Sequence, residues 1–243
     1  MTVEMKYELV ESDTTTSGFD VPHGKMYQIK ALKDFSDVKK GDLGGYVEGY
    51  HNLTQTGDAW IYDKAKVYGR ALVSENAQVH DKAKVSDRVT IKGKAVVSGS
   101  PYITDYALVQ DNARVAGEAT VRKNAVVRGN AVVANRSHVL GSADVSGHAQ
   151  VFGEGYVNEQ AEVKDSARVY GSASIGGNAK LSGQAQVYGI AKVSGSAIVK
   201  DLATVGEMAK VLGDSIISGD VVVQGDTTLV DVKISEGKLG IKE

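Results

Sequence analysis

Residues Ala167–Gly189 read ARVYGSASIGGNAKLSGQAQVYG, and the tripeptide Val-Tyr-Gly at 169–171 returns at 187–189, eighteen residues later. Between the two copies an aliphatic residue stands at every sixth position: Val169, Ile175, Leu181 and Val187. Stepping outward by six in both directions, the pattern holds without a break from Ile61 to Leu229. That is 29 consecutive positions, 22 of them Val. Two residues before each aliphatic stands Ala in 22 of the 29 cases. Two residues after it stands Gly in 16 cases and Asp, Glu or Asn in 12, with Lys123 the lone exception. The unit is therefore A-x-V-x-[GDEN]-x.

Each part of the unit has a physical cause. Side chains alternate along a strand, so A-x-V turns one small and one aliphatic side chain to the same face. The next alternate position carries residue types that accept a left-handed backbone or hydrogen-bond their own turn. Every hexad thus reads as a short strand closed by a sharp bend. A helix would need apolar spacings of three and four, which are absent. Three hexads close one triangular coil of eighteen residues, and stacked coils bury a continuous core that no single coil could make. The 29 hexads amount to nearly ten coils, a prism roughly 45 Å long at the usual strand spacing. Stacked coils leave ladder edges at both ends, which need covering.

Three regions follow: a cap at 1–58, the repeat at 59–231 and a tail at 232–243. The cap reads as a hairpin-like pair, KYELV and MYQIKAL, joined by the polar ESDTTTSGFDVPHGK and followed by KKGDLGGYVEG. The tail VDVKISEGKLGIKE loses the hexad and gains charge, so it reads as a closure or contact at the far end. The chain has 243 residues, a formal net charge of −2 and no Cys. That balance argues against a generic nucleic-acid binder, and the missing thiols rule out disulfides and Zn–thiolate sites. No signal-peptide core opens the chain, and no apolar run is long enough to span a bilayer. The expectation is a cytoplasmic protein with neither membrane nor nucleic acid as partner. With only 3 Phe against 28 Gly, the interior must be filled by small, regular residues.

The hexad resembles that of the left-handed parallel β-helix proteins built on hexapeptide repeats. Their usual unit puts the Gly or acidic residue directly after the aliphatic; here it comes second, as in VYGSAS. That departure, together with the head segment YQIKALKDFSDVKKGDLGGYVEGYHNLTQTGDAWIY, looks like the YdcK-like proteins of enterobacteria and their phages, over residues 27–229. The resemblance implies an all-β, left-handed, single-stranded parallel β-helix. With the outward apolar and aromatic columns, it also implies a homotrimer. In trimeric relatives ligands commonly lie in the clefts between neighbouring prisms.

Function must sit on outward residues, those flanking each core aliphatic. Sorted by eighteen they form three faces, which begin at Trp60/Tyr62, Lys66/Tyr68 and Leu72/Ser74. The first face carries an aromatic ladder, Phe152–Tyr170–Tyr188, with Arg168, Gln150 and Gln186 beside it and Arg114 further along. Aromatic rings with Arg and amide donors suit a base plus phosphate, so these seven residues are the candidate ligand site. Stacked aromatics equally stabilise sheets and fill subunit interfaces, and both readings stay open. The third face alternates apolar Leu72, Leu108, Val126, Ile198 and Ile216 with basic Lys92, Arg128, Lys164 and Lys200. Asp144 and Glu162 beside that column make it read as a solvated charge ladder.

The residues lean away from catalysis without excluding it. Many hexapeptide-repeat relatives are acyltransferases with a His base, but here the 29 hexads contain no inserted loop to shape an acceptor pocket. His23 and His51 belong to the cap, His80 and His138 point outward from different faces, and His148 lies at a turn. No nucleophile or phosphate-loop motif stands apart from the repeat. No catalytic residue, metal ligand or cofactor is assigned. The leading expectation is a non-catalytic, self-associating binder of a small anionic or nucleotide-like ligand, phage-encoded, with sequestration of a signalling nucleotide as one use. The alternatives are an acyltransferase-like enzyme and a purely structural or assembly protein.

Overall fold

A computed structural model describes residues 4–15 and 24–240. The repeat folds into a parallel β-solenoid of about 11 turns with about 18 residues per turn. Its strands are mostly two residues long and pair in register at n and n+18, as in Gln150↔Arg168↔Gln186. Joined by three cap strands on the second face and one tail strand on each of the others, they form three sheets of 11, 13 and 10 strands, the first, second and third faces respectively. The Ala and Val columns are buried throughout, as with Ala167, Val169, Ala185 and Val187 at 0 % exposure.

All 29 corner positions adopt positive φ, from 52° at Asp63 to 84° at Gly99, including Lys123 at 61°. The left-handed bend is what the Gly/Asx column is for. Strand N–H groups donate forward to the next coil, as Tyr170 N–H does to the Val187 carbonyl (3.0 Å). Where the corner one coil earlier is acidic, the corner amide instead finds its acceptor there. Gly93 donates to Glu75 (3.0 Å), Gly129 to Asp111 (3.0 Å), Gly183 to Asp165 (2.9 Å) and Gly219 to Asp201 (3.1 Å). Lys123 obeys the same rule, its N–H donating to Asp105 (3.0 Å). An acid at one corner thus serves the corner eighteen residues on.

In the cap, strand β1 (Tyr7–Thr15) runs antiparallel to β2 (Lys25–Ala31), and most of the expected turn, residues 16–23, lies outside the described residues. A third strand, β3 (Leu43–Val47), pairs with β2 and then runs parallel to the first strand of the second face. Two glycines allow that approach: a Cβ on Gly45 would stand 2.6 Å from the Ala65 carbonyl oxygen. Because strand carbonyls point back toward the N-terminal end, the first coil leaves its acceptors open. The cap supplies donors on every side. Lys6 Nζ reaches the Gly57 and Ala59 carbonyls (3.1 and 2.9 Å), and the Tyr46 N–H reaches Ala65 (2.9 Å). Asn52 Nδ2 covers Gly69 and Ala71 (3.2 and 2.9 Å). Trp60, which the periodicity places outward, is 1 % exposed because Tyr7 and Phe35 lie edge-on against it.

At the far end Lys233–Ile234 and Lys238–Leu239 pair with the third and first faces. Their partners lie 17 and 16 residues earlier, at Ile217↔Ile234 and Val223↔Leu239. The shortened spacing is why a strict hexad count stops near ten coils. No helix among the described residues is long and apolar enough to cross a membrane.

Candidate functional site

The fold places all seven predicted residues on the first face. Gln150, Arg168 and Gln186 occupy successive rungs, and Arg114 lies two rungs before Gln150, across Val132. Phe152, Tyr170 and Tyr188 stack nearly parallel, with centroids 5.1 and 5.4 Å apart and planes 3° and 12° from parallel. In-register strands sit 4.7–4.9 Å apart, so equal side chains eighteen residues apart stack as they do in cross-β ladders. The phenols are tethered: Tyr170 donates to Gln186 Oε1 (3.2 Å), and Gln224 Nε2 donates to the Tyr188 oxygen. Burial pushes the Tyr170 phenol up from its ordinary value, helped by Tyr188 and opposed by Arg168.

The stack therefore occupies its own ring faces. Phe152 covers one side of Tyr170 and Tyr188 the other, while Gly206 lies under the Tyr188 ring. What the ladder offers a partner is a row of half-buried ring edges. Exposed Arg168 stands beside it and exposed Arg114 two rungs before Gln150, and neither pairs with a carboxylate among the described residues.

The four described histidines go to separate partners; His23 lies outside the described residues. His51 Nε2 bonds the Gly69 carbonyl (2.7 Å), and His80 stacks on Tyr62 at 4.1 Å. His138 tilts against Tyr156 and His148 bonds Asn130. Among the described residues no three of His, Asp and Glu group as they would to hold a metal ion.

A second constellation lies at the corner joining the second and third faces, in the early coils. A groove of about 450 Å³ is lined there by Arg70, Arg88, Arg122, Tyr102, Tyr106 and Thr104, with Asp87 and Asp105 at its corner. Arg88 lies over the Tyr106 ring at 5.4 Å and Arg122 over Tyr102 at 5.9 Å. Both carboxylates are used internally. Asp87 accepts from the Thr104 hydroxyl and, more distantly, from the Asp105 N–H (3.3 Å), while Asp105 pairs with Arg122 (3.5 Å). Sorting only the residues that flank each aliphatic misses this groove. Arg70, Arg88 and Tyr106 stand one place after the corner, a column eighteen residues in period that is visible in the sequence once that position is included.

Comparison with known proteins bears on the scaffold. No curated protein matches the chain. Residues 65–81 match the YdcK beta solenoid repeat, and they form the first of the in-register coils just described. The chain is thus a parallel β-solenoid of 29 hexads that carries a repeat of the YdcK type at 65–81.

Proposed function

We propose that this β-solenoid works without catalysis, assembling with copies of itself as a homotrimer and holding a small anionic, nucleotide-like ligand in the clefts between prisms. The observation that carries the reading is the first face, a tethered aromatic stack with Arg168 beside it and Arg114 two rungs before Gln150, both without carboxylate partners among the described residues. Aromatic and Arg residues are the types enriched at protein interfaces. A guanidinium set beside an aromatic edge at a subunit boundary takes an oxyanion in a bidentate grip. Because the rings already stack on one another, their edges serve the interface and the arginines serve the ligand. Sequestration of a signalling nucleotide in the cytoplasm of a phage-infected host is one use of such a protein.

Light scattering and native mass spectrometry of the purified chain test this. The expected result is three times the chain mass plus a retained small anion. The double variant Tyr170→Ala, Tyr188→Ala should fall to single chains, and Arg168→Ala should stay assembled while releasing the anion. A wild-type protein of single-chain mass would overturn the assembly, and an assembled protein that neither retains nor takes up an anion would overturn the cleft site.

A further inference from the structure

We propose that the corner groove between the second and third faces is itself a binding site for a small organic anion bearing a planar ring. Arg70, Arg88 and Arg122 would take the oxyanion, and Tyr102 and Tyr106 the ring. The site lies within one chain and shares no residue with the first-face ladder, so it stands or falls separately from the assembly proposed above.

The repeat supplies its own control for this inference. One place after the same corner, successive coils carry Arg70, Arg88 and Tyr106, then Asn124, Ser142, Gln160, Asn178, Ser196 and Asp214. The later coils hold nothing larger than a glutamine there, yet the early coils hold two guanidiniums and an aromatic ring. Tyr106 is 59 % exposed, an unusual state for a ring with apolar faces. Packing does not account for the cluster, since these three side chains stand outside the core.

The charges are arranged for an incoming anion. Asp87 and Asp105 are committed to Thr104, Lys123 and Arg122, whereas Arg70 and Arg88 have no carboxylate partner among the described residues. Arg88 lies over the Tyr106 ring and leaves its guanidinium edge to donate paired N–H groups, while Arg122, over Tyr102, also pairs through Nε with Asp105. Beneath them Ser86 and Thr104 are buried and joined by a hydrogen bond (3.0 Å), a floor already satisfied within the protein. The volume falls in the range of small-ligand pockets, about 300–1,000 Å³. That size, together with a chain of net charge −2, favours one mononucleotide-sized molecule over a polyanion lying along the prism.

Isothermal titration of the full chain with AMP tests the site, with adenosine as ring without anion and ribose 5-phosphate as anion without ring. AMP should bind more tightly than either fragment. Arg88→Asn and Tyr106→Asn should each weaken it by about tenfold or more. Both variants copy a residue that the same column already carries at Asn124, so the coil should fold, and an unchanged melting curve checks that it does. Tyr170→Ala should leave AMP binding intact. The proposal is overturned if AMP shows no binding at about 1 mM, or if Arg88→Asn and Tyr106→Asn bind as well as wild type. It is also overturned if a single-stranded oligonucleotide binds where AMP does not. Loss of AMP binding in Tyr170→Ala but not in Arg88→Asn would assign the ligand to the first face, sinking this proposal and supporting the other.

Discussion

Gly206 shows how much one residue can carry when the coils are identical elsewhere. It stands at the ladder position of the first face, where the three coils before it carry Phe152, Tyr170 and Tyr188. A Cβ there would overlap the Tyr188 ring, which is held from above by Tyr170 and tethered by Gln224. Gly206→Ala must therefore push Tyr188 out of the stack. The expected outcome is a loss of near-ultraviolet circular dichroism from the tyrosines and a stability loss of about 1–3 kcal/mol, as for overpacking elsewhere. An unchanged spectrum would mean the ring does not rest on that glycine. The ladder was legible in the sequence because rings recur at eighteen. Its closure was not, since only the placed rings show which faces are already covered.

At the scale of the strand-and-corner unit, the informative feature is the acid that serves the next coil. The alternation of Gly with Asp and Glu was readable as tolerance of a left-handed bend, and all 29 corners bear that out. Why a given corner is acidic was not readable, because the partner amide lies eighteen residues away in the adjoining coil. Asp165 illustrates it: its carboxylate accepts the Gly183 N–H at 2.9 Å. Asp165→Ala keeps the core but leaves that amide to solvent and sets Ala at φ 59°, and the two together should lower stability by about 1–2 kcal/mol. Asp165→Asn should recover part of the loss through its amide oxygen. Urea unfolding of the two variants against wild type measures both. Equal stability of all three would show that water replaces the carboxylate without loss.

The whole molecule is polarised, with carbonyls facing the N-terminal end and N–H groups the other, and the cap answers the first of these with a buried cation. Lys6 is 1 % exposed, and burial lowers its ammonium from an ordinary 10.5 to about 8, with Asp58 opposing. Below pH 8 both folded and unfolded chains carry that proton, and the folded state bears the full cost of burying it. Between about 8 and 10.5 only the unfolded chain keeps it, so stability rises with pH in that window. Tyr7 acts in the opposite sense. Burial raises its phenol well above the ordinary 10.0, so its contribution is complete below pH 10 and lost above it. Unfolding free energy measured from about pH 7 to about pH 11 should therefore climb and then fall, with a maximum near pH 10. Lys6→Met should flatten the climb and keep the fall; a climb of equal size in that variant would remove Lys6 as its source.

The period, the bend at every corner, the buried Ala and Val columns and the capping hairpin all follow from the order of residues. A strand alternates its side chains locally, and a left-handed corner selects its residue locally. Two kinds of feature needed the folded chain. One is contact between coils: the acid–amide pairs, the self-covered aromatic stack, the tail's shortened turns and the burial of Trp60 beneath Tyr7 and Phe35. The other is the Arg/Tyr groove, assembled at one corner from four turns of the prism. Most of the residues that meet there stand about one turn or more apart in the chain, and stacking of the coils brings them within van der Waals or hydrogen-bond reach.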